Sequence, residues 1–230
     1  IRKNMPESDL WAIQKERGKN NLKILFSPEL KKMFLFALIL TTFDMCAYWF
    51  TYSWLTAYLH RERGFSIVKS GLWILVTQAG GFIGYVTFGH FADKFGRRPA
   101  YTLYSIIMAT GLVMITIFWN AVSAFPHLML LFMFVIGVGT GMFGGYGPLF
   151  SEIFPTSVRA TAMGTAFNFA RGVQFFTPII ITVVAVKYGI AGGISLAALF
   201  AILTGAWIWM FPETKGKRLE ASKRKDDSLS

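Results

Sequence analysis

Long apolar runs separated by short polar turns set the plan of the chain. Six runs stand out: Met33 to about Leu59, Val68 to Phe91, Pro99 to Trp119, Leu128 to Phe150, Val158 to Val186 and Ile194 to Phe211. A helix needs about 20 predominantly apolar residues to cross the hydrocarbon core of a bilayer, so each run predicts one transmembrane helix. Six spans bring both termini to the same side. Residues 1–32, polar and basic, predict a linker with a short surface helix around Leu10 to Arg17, and 212–230 a polar tail. The fold expected is an all-α membrane protein with a six-helix bundle over 33–211.

Inside the runs, glycines recur four apart, as in Gly80 with Gly84 and Gly137 with Gly141. Small residues at that spacing let helix backbones approach closely in lipid. The fourth run adds Gly139, Gly144, Gly145 and Gly147, followed by Pro148, so it reads either as a packing surface or as a flexible helix that bends beside a transport path. Tyr48, Trp49, Tyr52, Trp54 and Tyr58 crowd the outer half of the first run, where they suit a membrane interface or a cavity wall.

Composition agrees: 54% hydrophobic, 15% charged and a mean hydropathy of +0.49 lie outside globular usage. The net charge of +11 raises nucleic acid as a partner, but its distribution excludes it. Eight Lys and Arg precede Met33, three lie between Gly89 and Arg98, one is Arg159, and six follow from Lys215. The opposite connections hold only Arg61, Arg63, Lys69 and Lys187. This is a positive-inside pattern, with both termini cytoplasmic in a plasma membrane (the inner membrane of a bacterium). The lone Cys46 forms no disulfide within the chain, and no metal-ligand cluster or cofactor motif is present in the sequence. Nothing resembles a removable signal peptide, and the start at Ile1 is read as part of a longer polypeptide. Without a nucleophile and base pair or a phosphate loop, an enzyme is not expected.

Two ionisable residues lie deep in the runs. Asp44 is 12 residues beyond Lys32 and Arg171 is 12 beyond Arg159, about 18 Å in from the basic side and near mid-depth. Such groups face a partner or a watery cavity and are functional candidates. Arg171 keeps its charge and suits a carboxylate; Asp44 can change protonation and suits proton coupling. Asn168 and Gln174 flank Arg171 with Phe167, Phe175 and Phe176, a stripe fitted to a small, partly apolar anion. The competing reading is a structural salt bridge between Asp44 and Arg171. Gln78 is a second cavity candidate, and His60, His90 and His127 are interfacial.

The charged turn closes the argument. Asp93 at a helix C-terminus needs a compensating cation, and Lys94, Arg97 and Arg98 are nearest. Glu152, Arg159 and Glu213 sit at other inner helix ends, so a charge network is expected there, the alternative being loops merely anchored at the surface. Gly89-x-x-x-Asp93-Lys94-x-Gly96-Arg97-Arg98 resembles the loop signature of the major facilitator superfamily between its eighth and ninth helices. Ser151 to Arg159, Pro212-Glu213-Thr214-Lys215-Gly216 and Pro6-Glu7-Ser8 are similar to further stretches of that family in the same order. The resemblance covers the whole chain. It implies the second six-helix half of a twelve-helix transporter, partnered by an N-terminal half, with the charge network latching the inward gate.

For cargo, the Glu152-to-Thr156 and Pro212-to-Gly216 stretches are similar to sugar porters. Thr41 to Trp49 departs from their first-helix pattern, and Phe167 to Gly172 looks more like the metabolite:proton, aromatic-acid and organic-anion branches. Proton-coupled symport of a small carboxylate is therefore expected, with Arg171, Asn168, Gln174, Tyr48 and Gln78 binding substrate and Asp44 the proton. The alternatives are a sugar or polyol porter and a non-transporting membrane receptor.

Overall fold

The computed structural model describes residues 21–216. The helix expected at Leu10 to Arg17, the Pro6-Glu7-Ser8 stretch and the tail beyond Gly216 lie outside the described residues. A short helix α1 (Asn21–Leu25) precedes α2 (Lys31–Tyr52), which continues through Leu55–Ala57 into a π-helical turn, Tyr58–Glu62. Then come α3 (Ile67–Phe95), α4 (Arg97–Thr116), a short helical turn at Trp119–Ser123 inside the expected outer connection, and α5 (Pro126–Gly139). A 3-10 stretch, Thr140–Gly145, leads into α6 (Tyr146–Ile153). The last elements are α7 (Thr156–Val173), a 3-10 turn at Gln174–Phe176, α8 (Thr177–Trp207) and a closing 3-10 turn at Ile208–Met210. Among the described residues no strand occurs.

Among the described residues five continuous stretches are long and apolar enough to cross a membrane, and the last, Thr156–Met210, runs for 55 residues. It is not one rod. Gly189 has φ 70 and ψ 175, outside the helical region, and beyond it Gly193 lies against Ile181. Twelve residues of straight helix would separate those two by about 18 Å, so the chain folds back at Gly189. That turn lies inside the expected connection Tyr188 to Gly193.

The charged interval behaves differently from its expected form. Rather than a ten-residue turn, it is helix as far as Phe95, and the reversal falls on Gly96 alone, at φ 107 and ψ 164. Glycine reaches that conformation without the Cβ clash that excludes other residues. The fifth run is also not uniform, because Pro178 lacks the N–H that Gln174 O would accept, and the backbone tightens to a 3-10 turn just before it.

Packing resolves most of the glycine question. A Cβ on Gly80 or Gly84 would strike the backbone of Phe134 or Val138 in α5, one on Gly137 would strike Thr77 in α3, and one on Gly139 would strike Met108 in α4. These residues bring α3, α4 and α5 to backbone contact. Gly147 is different, with nothing within 4 Å of a built Cβ. Outside the core, Leu72, Leu75, Phe82 and Val86 form an exposed apolar stripe on α3, as lipid or a further helix layer requires.

Candidate functional site

Three places carry the ionisable and polar groups. The first is the basic end of the bundle, where Glu213, after the last span, lies across the start of α4. Its Oε1 accepts from Arg97 N at 2.8 Å, its Oε2 from Arg98 N at 3.1 Å, and Thr214 N and Lys215 N donate to Oε1 as well. Free N–H groups and the positive end of the dipole make a helix start a natural seat for a carboxylate. Partial burial pushes the Glu213 carboxyl up, but the N–H groups of Arg97, Arg98, Lys215 and Thr214 outweigh it and hold it below its ordinary 4.5.

Arg97 bridges two acids. Nη1 meets Asp93 Oδ1 and Nη2 meets Glu152 Oε1, both at 2.7 Å, with Nε 3.2 Å from both Glu152 oxygens. Thr214 Oγ1 donates to Glu152 Oε2 at 2.5 Å. The expected network therefore exists, with Arg97 as the cation that compensates Asp93. The other members differ from expectation. Arg98 turns its guanidinium to the Phe211 carbonyl and lies over the Trp209 ring, and Lys94 lies over Phe95. Arg159 Nη2 donates to Ser151 O at 3.0 Å and Thr156 Oγ1 at 3.4 Å, closing its own turn. Gly89 is exposed and helical, with open space beside it.

The second place is Asp44, fully buried in α2. Tyr146 Oη donates to its Oδ2 at 2.6 Å, while Oδ1 has no hydrogen-bond partner among the described residues. Tyr146, the first residue of α6, stacks edge-on against Phe167 of α7 at 4.9 Å. The competing reading, a salt bridge between Asp44 and Arg171, is not met, since among the described residues the two make no ion pair. Tyr146 was missed by sequence reasoning, its only signal being a lone tyrosine between Gly145 and Gly147.

The third place is a cleft of about 420 Å³ between the ends of α2 and α7, lined by Trp49, Ser53, Trp54, Arg171, Gln174 and Phe175 among others. Arg171 is exposed and has no ion-pair partner among the described residues. Gln174 faces back into the bundle: Nε2 donates to Ala170 O and approaches Cys46 Sγ, and Oε1 accepts from Thr177. Asn168 is exposed on the same helix, bonded to Gly164 O. Tyr48 stacks with Tyr52 and Phe143, at 4.6 and 5.2 Å. Gln78 is exposed on α3. Of the residues expected to bind substrate, the cleft gathers only Arg171 and Gln174.

Helices this apolar, backbone contact through glycine and a carboxylate-capped basic turn define a multi-pass membrane protein. The model of the Major Facilitator Superfamily matches residues 12–229, and the chain belongs to that family. It is 36% identical to a "Putative metabolite transport protein" of Haemophilus influenzae over 191 residues, 82% of this chain and 46% of that one. Similarity extends to the cis,cis-muconate transport protein of Acinetobacter baylyi, 28% identical over 73% of this chain and 42% of that one. The minor myo-inositol transporter of Bacillus subtilis is also 28% identical, over 96% of this chain and 52% of that protein. The chain spans about half the length of these relatives.

Proposed function

We propose that the chain is the six-span C-terminal half of a twelve-span secondary active transporter of the plasma membrane, with both ends of the half cytoplasmic. It carries a small organic anion together with a proton by alternating access. The fold-back at Gly189 supports the count of six, and the clustering of Lys and Arg at the Gly96 end supports the orientation. The observation that carries the anion reading is Arg171, a fixed cation exposed in an aromatic-lined cleft. Resemblance to a muconate transport protein points the same way. Asp44 takes the proton, Arg171 holds the carboxylate with Gln174 beside it in the cleft, and the N-terminal half of the same transporter supplies the facing wall. The Gly96 end, with Gly89, Asp93, Arg97, Arg98, Glu152, Arg159 and Glu213, is the cytoplasmic gate.

A polyol porter is the second reading, favoured by the myo-inositol relative. Uptake of cis,cis-muconate and of myo-inositol by the full-length protein in proteoliposomes, with and without an inward proton gradient, separates the two. The first reading expects gradient-driven muconate accumulation that falls about 10- to 100-fold in Arg171→Ala, as loss of a charge-assisted contact implies. Inositol flux indifferent to Arg171 would replace it, and ligand binding without flux would make the protein a receptor.

A further inference from the structure

The eight residues of α6, Tyr146–Ile153, are held at both ends by different chemistry. At the first residue, Tyr146 Oη donates to Asp44 Oδ2 at 2.6 Å. Near the last, Glu152 holds the Arg97 guanidinium at 2.7 Å and the Thr214 hydroxyl at 2.5 Å. The two anchors are about 9 Å apart along the helix axis and point to different faces. One end thus touches a buried acid and the other the basic-end cluster.

The restraints on the span change just above α6. Thr140–Gly145 is 3-10 rather than α, a form that within a long helix marks a change of direction. Pro148 leaves the Gly144 carbonyl without its usual donor. Gly137, Gly139 and Gly141 are locked against α3 and α4, whereas Gly147 meets nothing within 4 Å. Backbone-to-backbone contact therefore ends at Gly141, and below it the span is held by side chains alone, Phe88 and Tyr101 against Gly145 and the buried Tyr146, Leu149 and Phe150.

We propose that α6 is a lever that carries the charge state of Asp44 to the Arg97–Glu152 pair, with Tyr146 as the positioning residue at its upper end. The proposal rests on the reading that Asp44 takes up the transported proton. While Asp44 is ionised, the Tyr146 hydrogen bond is charge-assisted and roughly twice as strong as a neutral one. A proton from solvent then bonds to Oδ1, the oxygen without a partner, and leaves a neutral carboxyl. Tyr146 keeps its own proton, its acceptor loses its charge, and the upper pin weakens. The helix moves as one hydrogen-bonded piece, so Glu152 shifts against Arg97.

The surroundings suit such a switch. The ionisable groups that feel the Asp44 charge are Tyr146 of α6, Tyr101 of α4 and Tyr85 of α3, all phenols. Tyr48 lies one turn on in α2, and Arg97 and Glu152 lie beyond Tyr101. From α7 comes Phe167, packed on Tyr146, while Arg171 sits on the exposed side, and in α8 the ionisable residues, Lys187 and Tyr188, adjoin the Gly189 turn. Among the described residues no cation pairs with Asp44, so a bound proton removes a charge that nothing else neutralises.

Hydrogen–deuterium exchange of the full-length transporter in lipid nanodiscs, corrected for intrinsic rates, reads the lever without substrate. Exchange over 144–153 should rise about five- to tenfold from neutral to acid pH in the wild type, as loss of the charge-assisted excess predicts, while α3 stays protected. In Asp44→Asn and Tyr146→Phe the segment should exchange fast at both pH values. Equal protection of the wild-type segment at both pH values overturns the lever, as does a wild-type response in Tyr146→Phe. If Tyr146→Phe does not reach the membrane, wild type against Asp44→Asn still decides. Undiminished gradient-driven cis,cis-muconate accumulation by Asp44→Asn would instead sink the proton reading beneath it, a result exchange alone does not produce.

Discussion

The two ends of the bundle turn the chain with the same device and secure it with different chemistry. At the basic end Gly96, at φ 107, precedes α4, and Glu213 takes the N–H groups of Arg97 and Arg98. At the opposite end Gly189, at φ 70, breaks α8, and Glu62 takes the N–H groups of Ile190 and Ala191. In each case a carboxylate from a distant part of the chain caps the helix that follows a left-handed glycine. Beyond the cap the ends diverge. Cations rest on rings at both ends, Arg63 4.4 Å from the centre of Trp119 and Lys69 4.1 Å from Phe65 at the Gly189 end, Lys94 5.2 Å from Phe95 and Arg98 5.6 Å from Trp209 at the other. Only at the Gly96 end, among the described residues, does a cation also join two acids, Arg97 bridging Asp93 and Glu152. Capping is enough to make a turn, so the additional ion pairs at one end answer to something else, and they lie where we place the gate.

Substitutions at matched positions test that contrast. The largest effect is expected for Arg97→Ala, which removes the guanidinium from Glu152; both side chains are nearly buried, at 12% and 10% exposure. Breaking such a pair costs about 3 kcal/mol, against about 1 kcal/mol for taking the guanidinium off its rings in Arg63→Ala. Thermal unfolding of the full-length protein reads both, and equal losses would erase the distinction. Next come Gly96→Ala and Gly189→Ala. Each forces a strained backbone and sets a methyl group against the capping carboxylate, for about 2 kcal/mol apiece. If only one of the pair is destabilised, the turns do not share a device.

The smallest effect is that of the caps themselves, about 1 kcal/mol for Glu213→Gln. Its pH dependence carries the information. The folded carboxyl of Glu213 lies below 4.5, so its contribution is complete above that value and disappears as pH falls through the lower folded value. The stability gap between wild type and Glu213→Gln should therefore close in acid. A gap that stays constant down to strongly acid pH would show that carboxylate charge does not hold the turn.

How much of this could be read in advance depends on the range of the interaction. Apolar runs of span length and the Lys and Arg asymmetry are local or compositional, and they foretell an all-helical membrane protein. The chain also puts Asp44 and Arg171 within apolar runs. Their relation was not legible: Asp44 meets Tyr146, 102 residues on, and Arg171 faces outward. The ten-residue turn shrinks to Gly96 because Glu213, 116 residues from Arg97, satisfies the next helix start and lets α3 run on to Phe95.

The sequence by itself thus determined that the chain is helical and membrane-embedded, because burying a backbone in lipid imposes length and hydropathy on every span, while its charged loop motifs carried the likeness to the major facilitator superfamily. Only the tertiary structure decided which charges meet. Helices of similar composition can pack in several rotations, and backbone contact at Gly80, Gly84, Gly137 and Gly139 selects the one that turns Asp44 toward Tyr146 and Arg97 toward Glu152.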